Sequence, residues 1–256
     1  MKTLIKAAAL SIAVLALALL SNSAPASSSW RDSVQLPYDE IDAYFDGAKW
    51  LQNSTQCDGR RDITIIKPIG KSTNFHFTTF PKSAPASKTE LTLRIKGEGD
   101  CGMMKCYFTY VGPVTYVVMQ SNYRDEDTTW IPAVAIGKGK NAETDLDDCR
   151  TFERLRVALI TEARTIYVTQ ETDGAFTYQT FNYKSASDKP SLIVKNGKSS
   201  LDKAKGIESF TFTNDGYKYE VNVSTSKQPF AEVLVKKAES LLQKERLLAY
   251  SYAKKI

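Results

Sequence analysis

Phe212-Thr213-Asn214-Asp215-Gly216-Tyr217-Lys218-Tyr219-Glu220-Val221 is the stretch that decides the fold class of this chain. Apolar and polar residues alternate on both sides of Asp215-Gly216, and an Asp-Gly pair supplies the positive φ angles that a two-residue hairpin turn demands. The stretch predicts two antiparallel strands, Ser209–Thr213 and Tyr217–Val223, joined by a tight turn. Asp173-Gly174 repeats the signal between Thr165–Gln170 and Phe176–Tyr183. Val111-Gly112-Pro113-Val114 predicts a third hairpin, between Lys105–Val111 and Thr115–Gln120.

Working outward, the same texture recurs at Ile63–Ile66, Asn74–Phe80, Glu90–Ile95, Ile131–Ile136, Leu155–Thr161 and Ser191–Lys195. These are short runs rich in β-branched and aromatic residues, bounded by Gly, Pro, Asn or Ser. Roughly a dozen such strands with local hairpins predict a mainly β, antiparallel fold, sandwich- or barrel-like, rather than a parallel βαβ fold. An irregular internal repeat accompanies them. Thr79-Phe80-Pro81-Lys82 leads through Lys88 to Leu91–Gly97, and Thr180-Phe181-Asn182-Tyr183 leads through Lys189 to Leu192–Gly197. A third copy runs from Asn122-Tyr123-Arg124 to Pro132–Lys140. Each copy reads as strand, polar loop, strand and glycine turn, and its uneven period excludes a solenoid or propeller.

Two segments carry helical spacing instead. Tyr38, Ile41, Tyr44 and Phe45 recur as on a short amphipathic helix, with Pro37 suited to its first turn and Gly47 to its end. Ala238, Leu241, Leu242, Leu248, Ala249 and Tyr252 do the same near the C-terminus, where no Gly or Pro interrupts the pattern. This spacing predicts a C-terminal helix over at least residues 238–252. Ala231, Val233 and Val235 alternate as a strand would, and pull the other way.

At the N-terminus, Lys2 and Lys6 precede an almost unbroken Ala/Leu/Ile/Val run from Ala7 to Leu20, followed by Ala24-Pro25-Ala26. A positive n-region, an apolar core and a small-x-small site predict a cleavable signal peptide over residues 1–26. The apolar run is short of the ~20 residues that span a bilayer as a helix. No cysteine follows it to take a lipid anchor. The expectation is a periplasmic or secreted protein with no membrane span after signal removal. Residues 27–256 then form one large β-rich domain, or two β subdomains dividing near 141–152. Removal of Lys2 and Lys6 takes the formal charge from +5 to +3, too mild and unclustered for a nucleic-acid partner. Local charge runs exist: Glu143, Asp145, Asp147 and Asp148 are acidic, and Lys236 to Lys255 is mostly basic. Both read as solvated surface.

An exported chain with Cys57, Cys101, Cys106 and Cys149 predicts two disulfides. Of the three connectivities, Cys101–Cys106 across a small Gly102 loop with Cys57–Cys149 is the pairing the spacing suggests. The spacing is not C-x-x-C, and a single histidine cannot complete a usual zinc set, so no metal and no cofactor are expected.

Catalytic motifs are sparse. His76, the only histidine, alternates with Phe75 and Phe77 and falls on the polar side of its strand. It has no nucleophile elbow or S-x-x-K partner in a plausible setting. Asp125-Glu126-Asp127 and Asp145-Leu146-Asp147-Asp148 are candidate carboxylate pairs for a glycosidase-type hydrolase, but neither fits a calcium loop. Trp50, Tyr123, Trp130 and Tyr183 are candidate binding residues, because Tyr and Trp are favoured at interfaces. No catalytic residue is assigned. The expected function is non-catalytic recognition of a protein or cell-envelope partner by a disulfide-braced β domain. The alternatives are a carboxylate-dependent hydrolase of an envelope polymer and a β-barrel carrier of an apolar ligand.

Overall fold

The structure, a computed structural model, describes residues 28–29, 40–52, 54–68, 74–94, 97–100, 104–111, 114–121, 133–139, 146–152, 154–185, 188–226 and 228–253. In chain order the strands are β1 (Ser28–Ser29), β2 (Glu40–Phe45), β3 (Trp50–Gln52), β4 (Thr55–Asp58), β5 (Asp62–Pro68), β6 (Asn74–Pro81) and β7 (Thr89–Arg94). Next come β8 (Gly97–Asp100), β9 (Met104–Val111), β10 (Val114–Ser121), β11 (Ala133–Gly139), β12 (Leu146–Asp148) and β13 (Thr151–Phe152). The remainder are β14 (Leu155–Thr161), β15 (Arg164–Gln170), β16 (Phe176–Asn182), β17 (Leu192–Asp202), β18 (Ile207–Asn214), β19 (Tyr217–Ser224), β20 (Ala231–Lys237), β21 (Ser240–Lys244) and β22 (Leu247–Ala253). One 3₁₀ turn, Tyr183–Ser185, is the only helical element among the described residues.

Every pairing among these strands is antiparallel, as the hairpin signals require. Strands β14 to β21 follow one another as a meander, and β22 returns to pair with β14 and then with β2, giving eleven strands in the order β21-β20-β19-β18-β17-β16-β15-β14-β22-β2-β3. The return explains the shape. Only Glu245 and Arg246 separate the end of β21 from the start of β22, so the two ends of the meander must meet and the sheet curls into a half-barrel. Glu245 N donates to Val233 O at 2.9 Å and Phe230 N to Tyr250 Oη at 3.0 Å, tying β20 to the returning strand. The concave side is packed solid. Alternate residues such as Val157, Val168, Tyr178, Phe210, Phe212 and Tyr250 form one buried cluster there. Ring contacts at 5.1 Å (Phe176–Phe210) and 5.4 Å (Tyr178–Phe212) fill it.

A four-stranded sheet, β4-β5-β6-β7, lies against the opposite face of the curl. Ile63, Ile65 and Phe80 of that sheet pack with Ile160 and Ala249 of the large one and with Tyr183 of the 3₁₀ turn. The other side of the small sheet holds Ile66, Phe77, Leu93 and the Cys57–Cys149 disulfide. A five-stranded sheet, β12-β11-β10-β9-β8, and the short β1–β13 pair complete the topology.

The Asp215-Gly216 hairpin forms as predicted, with φ of 50° and 76° and Asn214 opposite Tyr217. Val111 pairs with Val114, so β9 and β10 are the hairpin expected there. Both helical expectations are overturned. Glu40–Phe45 is a strand whose Ala43 enters the barrel core, and pairing with β22 overrides a spacing that suited a helix equally well. Residues 238–252 are a turn and two strands. Strand β22 is buried on both faces, Tyr250 and Tyr252 inward and Ala249 outward. A doubly buried strand loses its period-2 pattern and reads as a run of apolar residues. The glycine turn assigned to Asn196-Gly197 is likewise a correction. Asn196 has φ of 61°, and both residues lie inside β17 at a register shift opposite β16. The glycine exists because a Cβ there would lie 2.2 Å from Phe212 Cε1.

Candidate functional site

Of the four aromatic candidates, Tyr183 and Trp50 lie among the described residues, whereas Tyr123 and Trp130 lie outside them. Tyr183 is a core residue at 2% exposure, not part of a surface. Its hydroxyl donates to Thr161 O at 3.1 Å and accepts from Thr165 Oγ1 at 3.3 Å. It is buried because it sits where the two sheets meet. Trp50 is half-buried, with its ring 5.1 Å from Tyr250 and 5.5 Å from Phe45. It packs against the core of the large sheet from the edge strand β3.

Cys57 and Cys149 form a disulfide across 92 residues, joining β4 to the segment between β12 and β13. Cys101 lies outside the described residues; the backbone of Cys106 lies in β9 opposite Gly99 and Met119. The next residue after each bridged cysteine builds a buried ionic cluster. Arg150 N donates to Asp58 O at 2.8 Å, Arg150 Nε lies 3.3 Å from Asp58 Oδ2, and Tyr167 Oη donates to that same oxygen at 2.8 Å. Lys82 pairs with Asp58 Oδ1, and the Arg150 guanidinium stacks 3.6 Å from the centre of the Phe181 ring. Its members are all below 9% exposed, so the cluster fastens the layers from inside the fold.

A second buried ionic group lies against the core of the half-barrel. Arg156 is the extra residue of a β-bulge, which turns its side chain inward between Leu155 and Val157. Its Nη2 meets Glu208 Oε2 at 2.9 Å, Nε donates to Ala253 O at 2.9 Å, and Tyr252 Oη donates to the same Glu208 oxygen.

The acidic run near 145–148 has a structural use. Asp147 accepts from the backbone N–H groups of Arg60, Arg61 and Asp62 at 2.7, 3.1 and 3.1 Å, holding the β4–β5 turn. Burial raises its carboxyl above the ordinary range against the pull of those three donors. Gly59 is required beneath it, since a Cβ would fall 2.1 Å from Asp147 Oδ2. Asp125, Glu126, Asp127 and Asp145 lie outside the described residues. His76 is exposed on β6, with Nδ1 3.0 Å from Thr92 Oγ1. Among the described residues no group of three His, Cys, Asp or Glu side chains could hold a metal ion.

The most exposed apolar feature among the described residues is on the β20–β21 hairpin. Strand β21 is the edge of the eleven-stranded sheet, and all five of its residues are exposed. Leu241 and Leu242 are 57% and 56% exposed, the highest values among the large apolar side chains described. Sequence reasoning passed over this hairpin because its apolar residues were assigned to a helix face. The signal that finds it is the alternation of Ala231, Val233 and Val235.

No family model matches the chain, and no curated protein matches it. Among solved structures, the WD40 domain from Toxoplasma gondii coronin aligns at 7% identity over 87% of this chain and 89% of that one. The TM-score is 0.17, and at that level the likeness carries no argument.

Proposed function

We propose that the chain is an exported, disulfide-braced β-rich protein that recognises a protein or cell-envelope partner without catalysing a reaction. The observation that carries this reading is the exposed edge strand β21 with Leu241 and Leu242. An edge strand presents a row of unpaired backbone groups, and natural edges are guarded against pairing by charge, proline or a cover. Here Ser240-Leu241-Leu242-Gln243 is uncharged and ends at Lys244. An extended segment of a partner protein that adds as a further strand would satisfy those amides, and its side chains would cover the two leucines. The long-range disulfide suits an oxidising compartment, in keeping with a signal peptide over residues 1–26. The concave core, filled by its own rings, gives no support to the carrier alternative.

The test is affinity capture from cell extract with the mature, oxidised protein, run beside a Leu241→Asp/Leu242→Asp variant. The expected result is one saturable partner that the variant loses at unchanged melting temperature. Equal capture by the variant overturns the reading.

A further inference from the structure

A row of polar side chains lies where the small sheet meets β2 of the large one. Lys67 on β5, His76 on β6 and Thr92 on β7 are directly opposed across the strands and share one face. The same face carries Ile63, Ile65 and Phe80 further in, which pack on the large sheet. The row therefore continues outward from the contact between sheets to solvent. Tyr44, from β2 of the other sheet, closes it, with Lys67 Nζ 4.2 Å from the centre of its ring.

The charges here do not balance locally. Beyond the Tyr44 ring, the Lys67 ammonium has no hydrogen bond or ion pair among the described residues, although it is partly buried. Both acids nearby are committed elsewhere. Glu90 Oε1 holds Lys88 Nζ at 2.7 Å, and Asp46 Oδ1 accepts from the backbone N–H of Ala48 and Lys49, each at 2.9 Å. Burial outweighs their attraction and lowers the Lys67 ammonium below its usual value. A half-desolvated cation with no counter-ion is an unfavourable arrangement unless something else supplies the negative charge. The charged and titratable groups around it are Tyr44, Asp46, Lys49, His76, Lys88 and Glu90, and with Lys67 included the cations outnumber the anions.

We propose that this row binds a compact oxyanion, a phosphate or carboxylate group, with Lys67 as its counter-charge and the His76 imidazole as a hydrogen-bond donor. Thr92 Oγ1 engages His76 Nδ1, which leaves Nε2 for the ligand. The Tyr44 ring supports the ammonium through its π face. The site is separate in residues and elements from the β21 edge, so either proposal can fail without the other.

The chain has one histidine, so its imidazole resonance is a single-site reporter of the proposed site. The mature protein is titrated by NMR with inorganic phosphate and, separately, with acetate, at ionic strength held constant with chloride. The expected result is a saturable shift of the His76 resonance with anion concentration, from the anion beside it. Lys67→Met, or Lys67→Gln should the first fail to fold, abolishes the saturation while leaving the urea midpoint in place. Saturation by phosphate alone assigns a phosphate-type ligand, and saturation by both assigns a generic oxyanion site. A response no different from chloride, or one that survives both substitutions, overturns the proposal.

Discussion

At the residue scale, the core is specified by a few positions where one atom decides the packing. Gly197 is the sharpest. Phe212 is 1% exposed and held among Tyr178 and its neighbours, so it cannot move aside for a methyl group. Gly197→Ala should cost about 1–3 kcal/mol, the usual penalty for overpacking. That lowers the melting temperature by about 2–4 °C per kcal/mol for a chain of this size. Adding Phe212→Leu should recover part of the loss, and a double-mutant cycle that is strictly additive would mean the contact is not the cause. The buried tyrosines set an alkaline limit. Burial raises the phenols of Tyr167, Tyr178, Tyr183 and Tyr252, chiefly by desolvation. A phenol raised in the folded state contributes stability that is complete below the unfolded value, about 10, and is lost as pH climbs past it. Stability should therefore fall steeply above about pH 10, the unperturbed tyrosine value. The ultraviolet tyrosinate signal of these four should appear in one cooperative step with unfolding. Gradual ionisation at constant circular dichroism would contradict the burial.

At the element scale, the hairpins fall into two kinds, and the sequence distinguishes them by turn chemistry. Asp215-Gly216 was legible because glycine at positive φ is the residue such a turn selects. The β20–β21 turn was not, because Ala238 and Glu239 adopt φ of 47° and 65° with no glycine at either place. An l-residue in that region costs roughly 1 kcal/mol or more. Replacing Ala238 by Asn and Glu239 by Gly should therefore raise stability by about 1 kcal/mol, read as a higher urea midpoint. An unchanged midpoint would indicate that the strain is released in solution. The same logic explains which elements were legible at all. Half-buried strands such as Ile207–Asn214 keep their alternation and announce themselves. Glu40–Phe45 and Leu247–Ala253 lie between two layers, carry apolar residues on both faces, and imitate a helix until the partner strand is known. The site residues were legible only in part. His76 falls on the exposed face that alternation gave it, whereas its opposition to Lys67 depends on a register that no local pattern encodes.

At the scale of the whole molecule, the chain must hold a large curled sheet, a small sheet and the segment around Cys149 together, and it does so with buried charge as well as apolar area. Asp58, Lys82 and Arg150 are expensive to desolvate, and removing one partner strands the others. Asp58→Asn should therefore cost about 3–5 kcal/mol, more than a buried polar swap elsewhere. The disulfide sets the stage for that cluster, since Asp58 and Arg150 are the residues that follow its two cysteines. Opening a 92-residue loop, by Cys57→Ser with Cys149→Ser, should by itself lower stability by about 2–5 kcal/mol. The chain-entropy part of that loss acts on the unfolded state and is blind to Asp58. Any part that comes from loosening the ionic cluster is not. Denaturant curves for the serine pair, for Asp58→Asn and for their combination separate the two. A combined loss smaller than the sum by about 0.5–3 kcal/mol shows that the bridge holds the charges in register. Strict additivity would instead show that the backbone bond from Arg150 N to Asp58 O keeps them in place without the bridge.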